Sequence, residues 1–267
     1  MTPSPQSFMH PITGVVCEPE VCTEDAVRAS LIEVARSMQR LGINHGSAGN
    51  VSVRWHRGAA DGMLITPSAL PYEQCGVDDI VWVSIAAAQG TAAPQVDGVR
   101  RPSSEWRFHH DLYASRADAR AVVHTHAPHC TALACLPQIQ QQGIPAFHYM
   151  VAAAGGRDIR CAPYATFGTQ ALSDHVLAAL TDRRACLLAH HGMIALGGAL
   201  DSALALAVEV EWLARTYALA LQLGTPAVLS DTEMDRVLDR FTRYRPDPLD
   251  DLLADEPDAH GRSAVPS

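Results

Sequence analysis

Along the chain, the spacing of apolar residues switches between a helical and a strand period. Ala26, Leu31, Ile32, Ala35, Met38 and Leu41 form an apolar stripe at helical spacing, which predicts an amphipathic helix. Thr23 stands where an N-cap belongs, Glu24 and Asp25 place negative charge in the first turn, and Gly42 suits the position after the C-cap. After the small, polar loop Asn44–Asn50, Val51-Ser52-Val53-Arg54-Trp55 alternates as a strand, with Gly62 to Thr66 as its hairpin partner. A third strand is predicted over Ile80 to Ile85, and the Ala/Gly/Gln/Pro stretch 86–101 reads as an exposed loop. A helix then runs from Pro102-Ser103-Ser104-Glu105 to about Ala114, followed by a strand at Ala121–Thr125 and a helix from Pro128. Later come a helix around 170–180, strands at 185–189 and 193–196, a long Ala/Leu helix near 200–222, and a last helix at 231–243.

Strands interleaved with helices predict an α/β (α+β) domain built on a mixed sheet. Residues 1–22, rich in Pro and Ser and without periodicity, read as an N-terminal tail; 23–244 form the domain; 245–267, acidic and proline-bearing, read as a flexible C-terminal tail.

Composition narrows the function classes. With 267 residues, 48% hydrophobic and 18% charged, the chain can bury one full core and is not a mainly disordered protein. A formal charge of -9 argues against a general nucleic-acid surface, though a helix N-terminus can still bind a local anion. No basic stretch followed by an apolar core opens the chain, and no run of 18 apolar residues occurs, so neither a signal peptide nor a membrane span is expected. Seven cysteines, an odd number without a CxxC pair, fit a reducing compartment, so the cytoplasm is the expected location.

Three short motifs carry candidate chemistry. In Val122-Val123-His124-Thr125-His126, strand alternation sends His124 and His126 to one face, where two imidazoles can grip a metal ion; alone, the pair is more often two ordinary partly buried histidines. His190-His191-Gly192 ends a second apolar strand, and Gly192 would permit a tight turn after the histidine; alone, it reads as a polar loop. Pro102-Ser103-Ser104-Glu105 suits a helix start, either as a plain cap or as an anion site with Glu105 as acid and base. The Asn44–Asn50 and Thr66-Pro67-Ser68-Ala69 loops could also offer N–H groups to a phosphate, although each alone is more often a turn.

Taken in order, these motifs resemble the class II aldolase/adducin family. The resemblance runs through Gly49-Asn50-Val51-Ser52-Val53-Arg54, Leu64-Ile65-Thr66-Pro67-Ser68, Pro102 to His109, Val122 to His126 and His190-His191-Gly192. It extends over Ile144 to Met150 and Cys161 to Thr169, covering about residues 24–244. Within the family it is nearest the L-fuculose-1-phosphate aldolase branch. The resemblance implies a single domain with a central mixed, largely antiparallel sheet flanked by helices. It implies one zinc ion per subunit on His124, His126 and His191, with Mn2+ or Co2+ also admissible on three imidazoles. Glu105 becomes the acid/base, approaching the metal when no substrate is bound, with a pKa raised by a water-poor site.

The phosphate site implied is Asn50, Thr66, Ser68, Ala69, Ser103 and Ser104, where Ala69 replaces the family's usual glycine and disfavours positive φ. Tyr149 would act on the aldehyde oxygen from a neighbouring subunit, and Tyr244 would close over the site. His190 and His129 are left with supporting or capping roles. The implied activity is zinc-dependent (retro-)aldol cleavage of a ketose 1-phosphate to dihydroxyacetone phosphate and an aldehyde, through a metal-stabilised enediolate, in a homotetramer with inter-subunit sites. The small-molecule sugar phosphate is the partner; no nucleic acid or membrane is expected. The family also holds a pentulose-phosphate 4-epimerase, 3-oxo-tetronate-phosphate decarboxylases, a methylthioribulose-phosphate dehydratase and non-catalytic adducin-like assembly domains. These alternatives, and an unphosphorylated substrate, stay open at this point.

Overall fold

A computed structural model describes residues 23–85 and 93–243; both predicted tails, residues 86–92 and Tyr244 lie outside the described residues. The first helix, α1 (Glu24–Arg40), is capped as its sequence predicts: Thr23 Oγ1 accepts the Ala26 N–H at 3.3 Å. At its other end Gly42, with φ +70°, donates to Gln39 O at 3.0 Å while Ile43 donates to Met38 O at 3.0 Å. This paired closure satisfies two carbonyls that the helix leaves open, and only the glycine makes its left-handed turn without strain.

The eight strands are β1 (Asn50–Arg54), β2 (Gly62–Ile65), β3 (Val81–Ser84), β4 (Val96–Asp97), β5 (Ala121–Thr125), β6 (Cys161–Ala162), β7 (Ala185–Leu188) and β8 (Gly192–Gly197). They form one sheet in the order β4-β3-β2-β1-β5-β8-β7-β6, antiparallel throughout except for the parallel β6–β7 pair. The sheet is thus mixed and largely antiparallel, as expected. The helices after α1 are α2 (Trp106–Ser115), α3 (Pro128–Ala134), α4 (Pro137–Gln142), α5 (Gln170–Ala179), α6 (Leu200–Leu223) and α7 (Asp231–Arg243). Among the described residues, no helix is long and apolar enough to cross a membrane.

Strand alternation divides the core between the two faces of the sheet. Val51, Leu64, Trp82, Ala121, Val123, Leu187 and Met193 cluster with α1, α3 and α6. Their neighbours Met63, Ile65, Val81, Val83, Val122, Cys186, Leu188 and Ile194 cluster with α2 and α5. Each buried aliphatic side chain contributes roughly 1.5–3 kcal/mol of transfer free energy, so both faces hold their helices firmly.

Several elements depart from the sequence reading. Within the predicted loop 86–101, Val96 and Asp97 form the edge strand β4, paired with β3 through Val83↔Val96. Helix α4, the 3₁₀ turns at Tyr149–Ala154 and the two-residue strand β6 also went unread. All are too short to display a hydrophobic period, and tertiary contacts decide them.

Candidate metal centre and acid–base site

The two histidine motifs meet because their strands are neighbours. In β5, paired antiparallel with β8, Thr125 stands opposite Met193, so His126 and His191 leave the same edge of the sheet side by side. On its other side β5 pairs with β1, and His124 stands opposite Asn50. Glu105, the residue just before α2, is 4% exposed and points into the same space.

The ligating atoms of Glu105, His124, His126 and His191 all lie within 4.8 Å of one another. Glu105 Oε2 is 3.2 Å from His124 Nε2, Glu105 Oε1 is 3.3 Å from His191 Nε2, and the Nε2 atoms of His124 and His126 are 3.2 Å apart. His124 donates Nδ1–H to Met193 O at 3.0 Å, which leaves the Nε2 lone pair for the shared space. Glu105 Oε1 is buried and receives no hydrogen bond. Imidazole lone pairs and an unsatisfied carboxylate oxygen converging on one point are the donor set that a divalent cation takes, so these residues fit one.

The electrostatics run against the expected direction at Glu105. Burial pushes its pKa up, but the imidazoles of His124 and His191 and the Asn50 amide outweigh burial and bring it down to about 2. The expectation of a raised carboxyl therefore fails, because histidines and a donor amide, rather than apolar groups, surround the carboxylate. Burial, reinforced by His124, holds His126 near 3 and His191 near 4, so both imidazoles are neutral at physiological pH, the form that binding a metal requires.

Asn44 was read only as part of a loop, yet it fixes this geometry. Its Oδ1 accepts the His126 N–H at 3.1 Å, and the Thr125 hydroxyl, 3.2 Å from that oxygen, donates to Ile43 O, tying the end of β5 to the loop after α1. Gly192 does not provide the predicted turn. His190 takes the left-handed backbone, with φ +57°, while Gly192 begins β8 pressed against the Thr125 carbonyl. His190 itself is exposed, 2.9 Å from the Gln140 amide. His129 sits at the start of α3, where Glu211 of α6 accepts its N–H at 3.0 Å and that of Cys130 at 2.9 Å.

The expected phosphate segments come together in part. A bridge between Pro67 and Pro102 sets the Thr66–Ala69 loop beside Ser103 and Ser104, and Ser103 donates its N–H to Thr66 O at 3.0 Å. Thr66 and Ser103 are buried, whereas Ser68, Ala69 and Ser104 are exposed. Ser68 N–H is engaged with Arg101 O at 3.0 Å. Ala69 holds φ +57° despite its methyl group. The Asn50 side chain is directed elsewhere, to Glu105 at 3.0 Å and His109 at 2.5 Å. Tyr149 is 51% exposed, its ring centroid 4.9 Å from that of His148, and it has no hydrogen bond to the four clustered residues.

Comparison with known proteins bears on this arrangement. The family model "Class II Aldolase and Adducin N-terminal domain" matches residues 29–218. The chain is similar to the 5-methylthioribulose-1-phosphate/5-deoxyribulose-1-phosphate aldolase of Rhodospirillum rubrum, 54% identical over 219 residues, which is 82% of this chain and 92% of that protein. It is 51% identical to the L-fuculose phosphate aldolase of Escherichia coli K12 over 215 residues, covering 80% of this chain and 93% of that protein. A solved L-fuculose 1-phosphate aldolase superposes with a TM-score of 0.73 at 37% identity, over 81% of this chain and 96% of that one.

Proposed function

The chain belongs to the class II aldolase and adducin family, and from that premise we propose that it is a zinc-dependent lyase cleaving a ketose 1-phosphate to dihydroxyacetone phosphate and an aldehyde. The observation that carries this reading is the convergence of three imidazoles and the Glu105 carboxylate within 4.8 Å. His124, His126 and His191 would hold the cation, with Glu105 beside it. When bound, the ion supplies Lewis acidity toward the charge left on the ketone fragment as the C–C bond breaks.

The chain's own residues do the rest. In the synthetic direction Glu105, a carboxylate at neutral pH, takes the proton from the ketone fragment's carbon; in cleavage the protonated carboxyl returns it to that carbon. Tyr149 gives its phenolic proton to the aldehyde oxygen in the synthetic direction and is restored, through solvent, by the proton that Glu105 took; cleavage reverses both transfers. Its exposure in the single chain is compatible with a site completed by a second subunit of a homotetramer. Thr66, Ser68, Ala69, Ser103 and Ser104 orient the phosphate, reducing the entropic cost of reaction. Asn50 acts here as a partner of Glu105; Tyr244, expected to close over the site, lies outside the described residues. Related proteins bear the names of aldolases acting on 5-methylthioribulose 1-phosphate, 5-deoxyribulose 1-phosphate and L-fuculose phosphate, which supports a phosphorylated ketose as the substrate.

The test is release of dihydroxyacetone phosphate from L-fuculose 1-phosphate, 5-deoxyribulose 1-phosphate and 5-methylthioribulose 1-phosphate by zinc-loaded protein. Turnover on at least one, with Glu105→Gln keeping its zinc but losing turnover, is the expected result. Failure on all three, or near-full turnover in Glu105→Gln, overturns the reading.

A further inference from the structure

A buried chain of hydrogen bonds leads from Glu105 back to α2, and one end sets its direction. The ionised carboxylate can only accept, so Asn50, 3.0 Å from Glu105 Oε2, presents its Nδ2–H. Asn50 Oδ1 then faces His109 Nε2 at 2.5 Å, and that nitrogen must carry the proton. His109 Nδ1 is left as an acceptor, and Ser52 gives it its single hydroxyl proton over 2.7 Å. Ser52 Oγ in turn accepts the Tyr113 hydroxyl at 2.8 Å. The reverse assignment would set the Asn50 carbonyl against a carboxylate oxygen at 3.0 Å, two acceptors without a proton between them.

The spacing that builds this chain is regular. Glu105, His109 and Tyr113 recur every four residues on one side of α2 and its entry, while Asn50 and Ser52 share one face of β1. His109 and Ser52 are 0% exposed, and the His109 ring stacks on Phe108 at a centroid distance of 4.6 Å. The two oxygens of Glu105 are thereby made unequal: Oε2 is held by Asn50, and Oε1 has no hydrogen-bond donor.

We infer that His109 is a positioning residue: donating from Nε2, it fixes the Asn50 amide, so that Asn50 holds Glu105 Oε2 and leaves Oε1 to exchange the proton with substrate. This inference rests on the reading of Glu105 as the acid–base group.

Two measurements on the full-length, zinc-loaded protein test it. Nitrogen-15 NMR of histidine-labelled protein should show His109 protonated at Nε2 and unprotonated at Nδ1. The opposite tautomer, or an imidazolium, overturns the inference. In kinetics, His109→Leu should lower kcat by about 10–100-fold with KM and zinc stoichiometry little changed. His109→Gln, whose amide can still donate toward Asn50, should recover much of the loss. A kcat for His109→Leu within about twofold of wild type, or equal losses in Leu and Gln variants that both fold and hold zinc, overturns it. Should the Leu variant fail to fold, Ser52→Ala serves instead: a lower kcat at unchanged zinc content is expected, and an unchanged kcat counts against the chain. Wild-type protein without aldolase turnover would overturn the functional reading, while the tautomer would still decide how His109 is placed.

Discussion

A Cβ on Gly192 would stand 2.4 Å from the carbonyl oxygen of Thr125, so β8 reaches β5 this closely only because residue 192 has no side chain. The contact adjoins both His191, just before β8, and His126, just after β5, and His126 Cα would be 3.3 Å from the same Cβ. Gly192→Ala should therefore cost on the order of 1–3 kcal/mol and separate the histidines. Urea unfolding and zinc stoichiometry measure both effects. Wild-type stability with a full complement of zinc would show that the contact yields at no cost.

Asn44 is the second support of the ligand strand. Its Oδ1 takes the His126 N–H, while the carbonyl of neighbouring Ile43 takes the Thr125 hydroxyl proton, at a site only 9% exposed. Asn44→Ala leaves the His126 N–H dependent on whatever water reaches it, at a cost of about 1–3 kcal/mol. Zinc affinity should fall with stability, and Asn44→Asp, which retains the acceptor oxygens, should lose less of each. Equal behaviour of the two variants would assign Asn44 a packing role.

Much of this architecture was legible from pattern because its signals are local. The Thr23 cap, the Gly42 closure and the two-residue alternation of β5 each depend on neighbours within a few residues, and each stands where it was read. The convergence of His124, His126 and His191 was not local: it depends on β5 and β8 being paired, 67 residues apart for His124 and His191, which spacing alone does not encode. The order of the motifs bridged that gap. Two errors share a physical origin. Gly192 was assigned a turn because glycine tolerates unusual backbone, when its role is to admit a neighbouring carbonyl. Glu105 was assigned a raised pKa because burial alone was considered, without the imidazoles and amide that surround it. In both, the missing information is what stands across the sheet.

Glu24 lies far from the site and links acid stability to the fold. The Arg57 guanidinium, against the opposing effect of burial and with help from Arg28, brings its carboxyl down to about 2 from an ordinary value of 4.5. Because the folded value is depressed, the stabilisation is complete above the unfolded value and is lost as pH falls through the folded one. Its side chain is 24% exposed, so solvent screening limits the contribution to about 1–2 kcal/mol. Glu24→Gln should be less stable than wild type by that amount at pH 7, with the gap narrowing between pH 4.5 and 2. Urea midpoints at pH 7, 4 and 3 check the sign; a gap that stays constant with pH would remove the ionic contribution.

Ala69 tests the loop where the resemblance leads one to expect glycine. At φ +57° its Cβ crowds the following carbonyl, a conformation costing an L-residue roughly 1–2 kcal/mol. Glycine adopts it freely but brings a more disordered unfolded chain, which returns about 0.4–1 kcal/mol of the gain. The residue is exposed, so replacing its methyl leaves no internal cavity. Ala69→Gly should accordingly raise stability by about 0.5–1 kcal/mol, a shift in Tm of a few degrees. If the loop's N–H groups bind the phosphate, removing the methyl should also lower KM for the ketose 1-phosphate. A fall in Tm would mean that the methyl makes a packing contact worth more than the strain it imposes. An unchanged KM together with a higher Tm would separate the backbone strain from substrate binding and place the phosphate contacts on Ser68 and Ser104 instead.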